Sequence, residues 1–308
     1  MGPLLFLICI NDLPNCLKST IPCLYADDTQ IFTSSHDTAK IADSLNSDLE
    51  NITDWLTVNK LQSHPNKTKM MVIGSRCNLN HKVSTSDLRS NIRINNNVVS
   101  SIFSQECLGI YLDERLAFDA HIEDLCKKIC SGIGVLRRIK SLAPKECLLK
   151  LYKSLIQPFF DYCSPLWDTC DKTLKDNLQT LQNRSARIIY GANYDTRSKD
   201  ILKNLQLDSL DVRRKKLKCV FLYKVLNGIS APCLRENLER LTSLSRGYDL
   251  HDSETDLKLP KPRTNFLKRS FKYSASALWN NLPIDAKNAT TMNEFKFLLS
   301  NLPFHEAT

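Results

Sequence analysis

The sequence predicts an α+β N-terminal part followed by a mostly helical remainder. Three observations carry this reading. Apolar and polar residues alternate along "IPCLYADDTQIFTSS" at residues 21–35, and short apolar runs with turn signals recur at "IRINNNVV" and "CLGIYLD", as expected of strands. From Phe118 onward the apolar residues recur every three or four positions instead, the spacing of amphipathic helices. Charge changes with the pattern: residues 120–230 carry 21 Lys and Arg against 11 Asp and Glu, a net of +10, whereas residues 1–75 carry 5 against 8.

Taken in order, Gly2-Pro3 followed by "LLFLICINDL" predicts a buried helix that ends near Pro14, since proline suits the first turn of a helix. The alternating stretch at residues 21–35 predicts two strands joined at Asp27-Asp28. Ala39, Ala42, Leu45, Leu49, Ile52 and Leu56 then give an amphipathic helix from Asp37 to about Trp55. "HPNKTKMMVIG" reads as a turn, a strand at Met70 to Ile73 and a glycine stop. Residues 76–104 are rich in Asn and Ser, with a hairpin expected at the Asn cluster of "IRINNNVV". "CLGIYLD" reads as a strand containing Gly109, where a missing side chain permits close backbone approach.

Beyond Phe118, Ile122, Leu125, Ile129, Ile133 and Leu136 predict one face of a helix whose other face carries Lys127, Lys128, Arg137 and Arg138. A second helix is expected from Lys145 to Gln157, ended by Pro158. A third, from Lys172 to Tyr190, turns Leu174, Leu178, Leu181 and Ile188 inward and Lys175, Arg184 and Arg187 outward. A fourth starts near Leu210, carries Arg213-Arg214-Lys215-Lys216 and is capped by Gly228. Residues 241–265, with "LPKPRT", predict a linker or extended loop. The last segment returns to helix, with Phe271, Ala275, Leu278 and Trp279 on one face and a final "MNEFKFLLSNL".

Bulk properties narrow the classes of function. The longest apolar run, "PLLFLICI", is far too short to cross a bilayer and lacks the flanks of a secretory signal, so an intracellular location without membrane contact is expected. The twelve cysteines then read as free, mostly buried thiols. Cys126 and Cys130 lie one helical turn apart, with no histidine pair at ligand spacing beside them. The basic segment suits a polyanion, although a basic helix face also serves simply to stay solvated. Tyr152, Phe159, Tyr190 and Tyr223 suit either base stacking or core packing, and helical spacing favours the core.

The pair Asp27-Asp28 raises the sharpest chemical question. Adjacent carboxylates repel, and the best two-residue turns place glycine at a central position. Two explanations fit: a solvated turn, or a site for Mg²⁺, which takes one or two protein carboxylates plus waters and phosphate oxygens.

These pieces together resemble the reverse transcriptase of non-LTR, LINE-like retrotransposons of the jockey type. "YADDT" at residues 25–29 matches the palm motif C of that family, and "GPLLFLICINDLP" looks like the end of motif B and the helix after it. "NKTKMMVIG" resembles motif D, "LGIYLD" motif E, and "LYKSLIQPFFDYCSPLW" a segment of the helical thumb. "LQNRSARII", "FLYKVLNG" and "SALWNNLP" look like its continuation, so the resemblance runs over nearly the whole chain.

The resemblance implies an RNA-directed DNA polymerase that extends a DNA primer on an RNA template with deoxynucleoside triphosphates, using two Mg²⁺ ions. It implies a partial palm over residues 1–117, a basic helical thumb or connection over 118–240, and a linker with a C-terminal helical segment over 241–308. Asp27 is then a metal ligand with Asp28 assisting, and Lys67, at the motif D lysine, neutralises or protonates the leaving group; an ordinary exposed loop lysine is the alternative. Gly109 would let the primer backbone approach, with simple packing the alternative. Lys127, Lys128, Arg137, Arg138, Arg184, Arg187, Arg213 and Arg214 would hold nucleic-acid phosphates. The family's further metal-binding aspartate lies in motif A, upstream of motif B, and the fingers precede it, whereas this sequence starts within motif B. The expectation is therefore an N-terminally truncated enzyme, inactive alone, with an unpaired edge beside its acidic hairpin. A nucleic-acid-binding module without catalysis, and a translated remnant without a role, are the competing expectations.

Overall fold

The computed structural model describes residues 2–62, 67–80, 82–193, 195–236, 238 and 255–304, and the side chains of Asn80 and residues 82–86 are outside that description. The turn expected at His64-Pro65 and most of the linker expected over 241–265 lie outside the described residues. The chain divides into two compact units, Met1–Arg115 and Leu116–Thr308.

The first unit is α+β. It begins with α1 (Gly2–Ile10) and a 3₁₀ turn (Leu13–Cys16), followed by β1 (Ile21–Tyr25), β2 (Asp28–Phe32) and α2 (Thr38–Val58). Then come β3 (Lys69–Met70), α3 (Arg76–Asn80), α4 (Lys82–Asn91), β4 (Arg93–Ile94), β5 (Asn97–Val98), β6 (Ser100–Ser101), β7 (Ser104–Cys107) and β8 (Ile110–Asp113). The strands pair two by two: β1 with β2, β4 with β5 and β7 with β8 antiparallel, and β3 with β6 parallel. The core is built on α2, where Ala42 is buried with Met70, Leu88, Ile92, Ile94 and Val99, and Ile41, Leu45 and Leu49 pack against them. Asp37 starts α2 by accepting the Ala39 N–H at 3.0 Å, which satisfies one of the orphan amides of the first turn.

Several expectations for this unit are corrected. Helix α1 is not buried: Leu4, Leu5, Phe6, Leu7 and Ile8 are exposed, and only Ile10 is covered. A helix apolar on every side has no face suited to water, and burying each of those side chains would be worth about 1.5–3 kcal/mol. The strand expected at Met70 to Ile73 is confined to Lys69–Met70, with Ile73 exposed. The Asn- and Ser-rich stretch after it, where a hairpin alone is expected, also holds α3 and α4. The hairpin at the Asn cluster forms as expected, with Asn95 and Asn96 both in the left-handed region, as a type I′ turn requires.

The second unit is helical: α5 (Asp119–Ile139), α6 (Lys145–Leu155), α7 (Gln157–Asp161), α8 (Ser164–Trp167), α9 (Lys172–Tyr190), α10 (Ser198–Asn204), α11 (Leu210–Leu226), α12 (Pro232–Glu236), α13 (Asn265–Arg269), α14 (Phe271–Asn280), α15 (Ile284–Lys287) and α16 (Met292–Asn301). The α5 face is the expected one, with Ile122, Leu125, Ile129, Ile133 and Leu136 all buried. Pro158 does not end the second helix. That helix stops at Leu155, and Pro158 sits in the first turn of α7, where a missing N–H costs nothing. Gly228 closes α11 as expected: its N–H reaches Val225 O at 3.3 Å and Ile229 N–H reaches Lys224 O at 2.9 Å.

Helices α14 and α16 pack on α11 through one cluster that includes Leu222, Tyr223, Ala275, Trp279, Phe295 and Leu299. Leu257 joins it, pinned by Asn280, whose side chain bonds both the Leu257 N–H and C=O at 2.9 Å. All twelve cysteines are free, but only Cys170 and Cys219 are buried, which corrects the expectation of mostly buried thiols.

Candidate functional site

The register of β1 and β2 pairs Tyr25 with Asp28, so the two central turn residues are Ala26 and Asp27. The expected junction at Asp27-Asp28 is thus displaced by one residue. Asp27 lies at the turn, and Asp28 opens β2. Ala26 has φ +53°, a left-handed conformation that costs an ordinary residue about 1–2 kcal/mol. Both aspartates are exposed, and no hydrogen bond or ion pair engages either carboxylate among the described residues. The hairpin forms a two-stranded sheet by itself, none of its strand residues is buried, and Ile21, Tyr25 and Phe32 are exposed.

What holds the hairpin lies next to it. Asp48, fully buried within α2, accepts the N–H of Lys18 at 3.0 Å, of Ser19 at 2.9 Å and of Thr20 at 2.8 Å, and the Thr20 hydroxyl at 2.8 Å. Burial pushes the Asp48 pKa up, and the donors from Lys18, Ser19 and Thr20 more than reverse this, leaving it at about 2. Gln30 of β2 donates its Nε2–H to Cys107 Sγ at 2.8 Å. Sequence reading passed over Asp48. The signal was a carboxylate three residues after Leu45 and four before Ile52, on the apolar side of an amphipathic helix.

Two isolated, exposed carboxylates supply hard oxygen donors of the kind that Mg²⁺ accepts while keeping several waters, so the residues present fit that ion. Among the described residues, no group of three or more His, Cys, Asp or Glu side chains could hold a metal. Lys67 is exposed in the turn before β3. Gly109 is not inside a strand: Cys107 pairs with Ile110, so Leu108 and Gly109 form the two-residue turn between β7 and β8 with φ of 49° and 80°. Glycine here answers a turn requirement.

The basic residues of the helical unit divide into two sets. Lys127 and Lys128 are exposed on α5, each joined to a carboxylate one turn earlier, Glu123 at 2.8 Å and Asp124 at 2.7 Å. Arg137 and Arg138 are exposed at the last turn of α5, and Arg184 is exposed on α9. Three arginines depart from the expectation of phosphate contacts. Arg187 is half-buried and donates to Asn193 O at 3.2 Å and Ser198 Oγ at 3.0 Å. Arg213 grips Asp161 with Nε and Nη2. Arg214 is buried against Asp168 at 2.9 Å.

Asp168 collects more than one cation. Lys218, also buried, lies 2.7 Å away and Lys175 lies 3.1 Å away. Burial raises the Asp168 pKa, and Lys218, Lys175 and Arg214 together bring it below the ordinary carboxylate range. Lys175 therefore turns partly inward, against expectation. Tyr152 and Tyr223 are core residues, whereas Tyr190 is partly exposed with Lys145 Nζ 4.2 Å from its ring centre. No described helix is long and apolar enough to cross a membrane.

Residues 1–119 match the sequence profile of the family described as reverse transcriptase (RNA-dependent DNA polymerase). The chain is 23% identical over 222 residues to the RNA-directed DNA polymerase from mobile element jockey of Drosophila melanogaster, an alignment covering 68% of this chain and 23% of that protein. It is 25% identical over 221 residues to the probable RNA-directed DNA polymerase from transposon BS of the same species, covering 68% of this chain and 24% of the relative. Over 104 residues it is 30% identical to the probable RNA-directed DNA polymerase from transposon X-element, covering 32% of this chain and 11% of that protein. The chain thus spans about a quarter of the length of the first two relatives. No solved structure matches it.

Proposed function

We propose that this chain is a portion of the RNA-directed DNA polymerase of a non-LTR retrotransposon, with its palm segment over residues 1–117 and its helical thumb or connection after it. The observation that carries the reading is the pair Asp27 and Asp28, exposed and uncommitted at a hairpin turn, within the residues that match the reverse transcriptase family. In this reading Asp27, assisted by Asp28, holds divalent magnesium, which would activate a primer hydroxyl and neutralise the departing pyrophosphate. Exposed Lys67 provides a cation for the leaving group. RNA template, DNA primer and deoxynucleoside triphosphates are the substrates implied.

Lys127, Lys128, Arg137, Arg138 and Arg184 supply the phosphate-facing set. Their exposure supports that role, and the inward commitment of Arg213, Arg214 and Arg187 argues for removing those three from it. Two carboxylates hold a pair of divalent ions poorly, so these 308 residues alone are expected to bind an RNA–DNA hybrid without extending its primer.

The test is a paired measurement with Mg²⁺ present: hybrid binding across a salt series, and primer extension by the chain and by Asp27→Ala. Salt-sensitive binding with no extension fits the proposal. Absence of binding at low salt would sink the nucleic-acid role, and extension that disappears in Asp27→Ala would sink the expected inactivity.

A further inference from the structure

The acidic hairpin has no further strand paired to it by backbone hydrogen bonds among the described residues, since β1 and β2 pair only with each other and neither contains a buried residue. A lone hairpin is marginally stable in water. Its direction must be set where the chain enters it. The three residues that run directly into β1 are Lys18, Ser19 and Thr20, and their consecutive N–H groups converge on the one carboxylate of Asp48. Successive amides turned toward one point form a concave anion-binding nest, here filled by a side chain of the same fold.

Asp48 is also braced from its own helix, accepting from Asn51 Nδ2 at 3.2 Å. Side-chain packing does not explain this carboxylate. It lies one helical turn after Leu45, which packs on the unit's core, so a leucine there would extend the apolar side of α2 without desolvating a charge. Its shape suits donors on a backbone instead.

We infer that Asp48 is a positioning residue for the acidic turn: by clamping Lys18–Thr20 it fixes the path of β1, and so the direction in which Asp27 and Asp28 present their oxygens. The inference rests on reading those two aspartates as ion ligands. Gln30, bonded to Cys107 across to β7, steadies the second strand in the same sense.

The test uses the full 308-residue chain and Mn²⁺ as the probe. Paramagnetic broadening of the Ala26–Thr29 amide signals reports ion binding at the turn, and hydrogen exchange of the β1 and β2 amides reports hairpin order. Asp48→Asn removes the charge with little change in size. It is expected to speed hairpin exchange and weaken Mn²⁺ binding at the turn by roughly tenfold each, because bonds to a charged group are among the stronger ones. Exchange at Leu88, Ile92 and Val99 in the unit's core is expected to stay as in the parent. Thr20→Val, which removes only the hydroxyl bond, should give a smaller change of the same kind, and Thr20→Ser should restore parental behaviour; this pair decides the matter if Asp48→Asn loosens the whole unit.

Unchanged hairpin exchange in Asp48→Asn and Thr20→Val overturns the clamp. Faster exchange with unchanged Mn²⁺ affinity overturns the positioning role. Should Mn²⁺ leave Ala26–Thr29 untouched in the parent chain, the ion-ligand reading fails by itself, while the exchange data still judge the clamp.

Discussion

Thr20 is tied twice to Asp48, through its backbone N–H and through its hydroxyl, each at 2.8 Å, although 28 residues separate them. Both residues are buried. This contact closes the loop between the 3₁₀ turn and α2 around the acidic hairpin, and it makes the hairpin's foundation depend on an ionised carboxylate.

That dependence predicts an acid-sensitive stability. The Asp48 pKa is depressed in the fold from the ordinary 3.8 to about 2, so its stabilisation is complete above about pH 4 and is lost as pH falls through about 2. The shift corresponds to about 2 kcal/mol. The free energy of opening the hairpin, read from exchange of the β1 and β2 amides, should fall by up to about that amount in Asp48→Asn near neutrality, and the difference should vanish toward pH 2. A difference that does not shrink in acid would mean the carboxylate is not the source.

Asp168 should be the most sensitive charge in the helical unit. It faces Lys218, Arg214 and Lys175, of which the first two are buried. Asp168→Asn leaves those cations uncompensated and is expected to cost about 3–5 kcal/mol in denaturant unfolding. Lys175, whose side chain is 24% exposed, can reach water, so Lys175→Met should cost under about 1 kcal/mol. A loss in Lys175→Met as large as that in Asp168→Asn would show that Lys175, and not the two buried cations, carries the interaction.

Gly132 of α5 lies against the junction of α6 and α7. A Cβ there would lie 2.7 Å from Ile156 Cγ1, and Ile156 is fully buried. Alanine normally gains close to ~1 kcal/mol over glycine inside a helix. Overpacking of about 1–3 kcal/mol should outweigh that gain, so Gly132→Ala is expected to lower the melting temperature. Gly134 has nothing within 4 Å of its added Cβ, and Gly134→Ala should raise it.

The division of the basic residues predicts two kinds of mutant. Replacing Arg138 or Arg184, both exposed, should weaken RNA–DNA hybrid binding and reduce the salt slope by about 0.7–0.9 for each phosphate no longer neutralised. Arg214→Met should leave that slope unchanged and lower stability instead, since Arg214 is buried against Asp168. A salt slope that falls in Arg214→Met would return it to the binding surface.

Local code made much of this protein legible. The periodicity of α5 and α9 announces those helices, because each buries a stripe that repeats at its own pitch, and Leu210 and Gly228 mark the ends of α11. The Asn cluster announced the β4–β5 turn, and the alternation around Asp27-Asp28 announced the hairpin, though the turn itself falls on Ala26-Asp27. Pro158 misled, because a proline that ends one helix and a proline that opens the next look alike until the backbone between them is known.

The amino-acid sequence by itself determined the mixed first part, the helical second part, the acidic turn and the concentration of positive charge, since each depends on neighbours within a few residues. Only the tertiary structure decided which charges serve the fold and which face solvent. Asp48 meets Thr20 across 28 residues, and Lys218 meets Asp168 across 50. A helical repeat states which face a residue occupies, but a buried charge is stable only beside its counter-charge, and that partner is chosen by how distant segments pack.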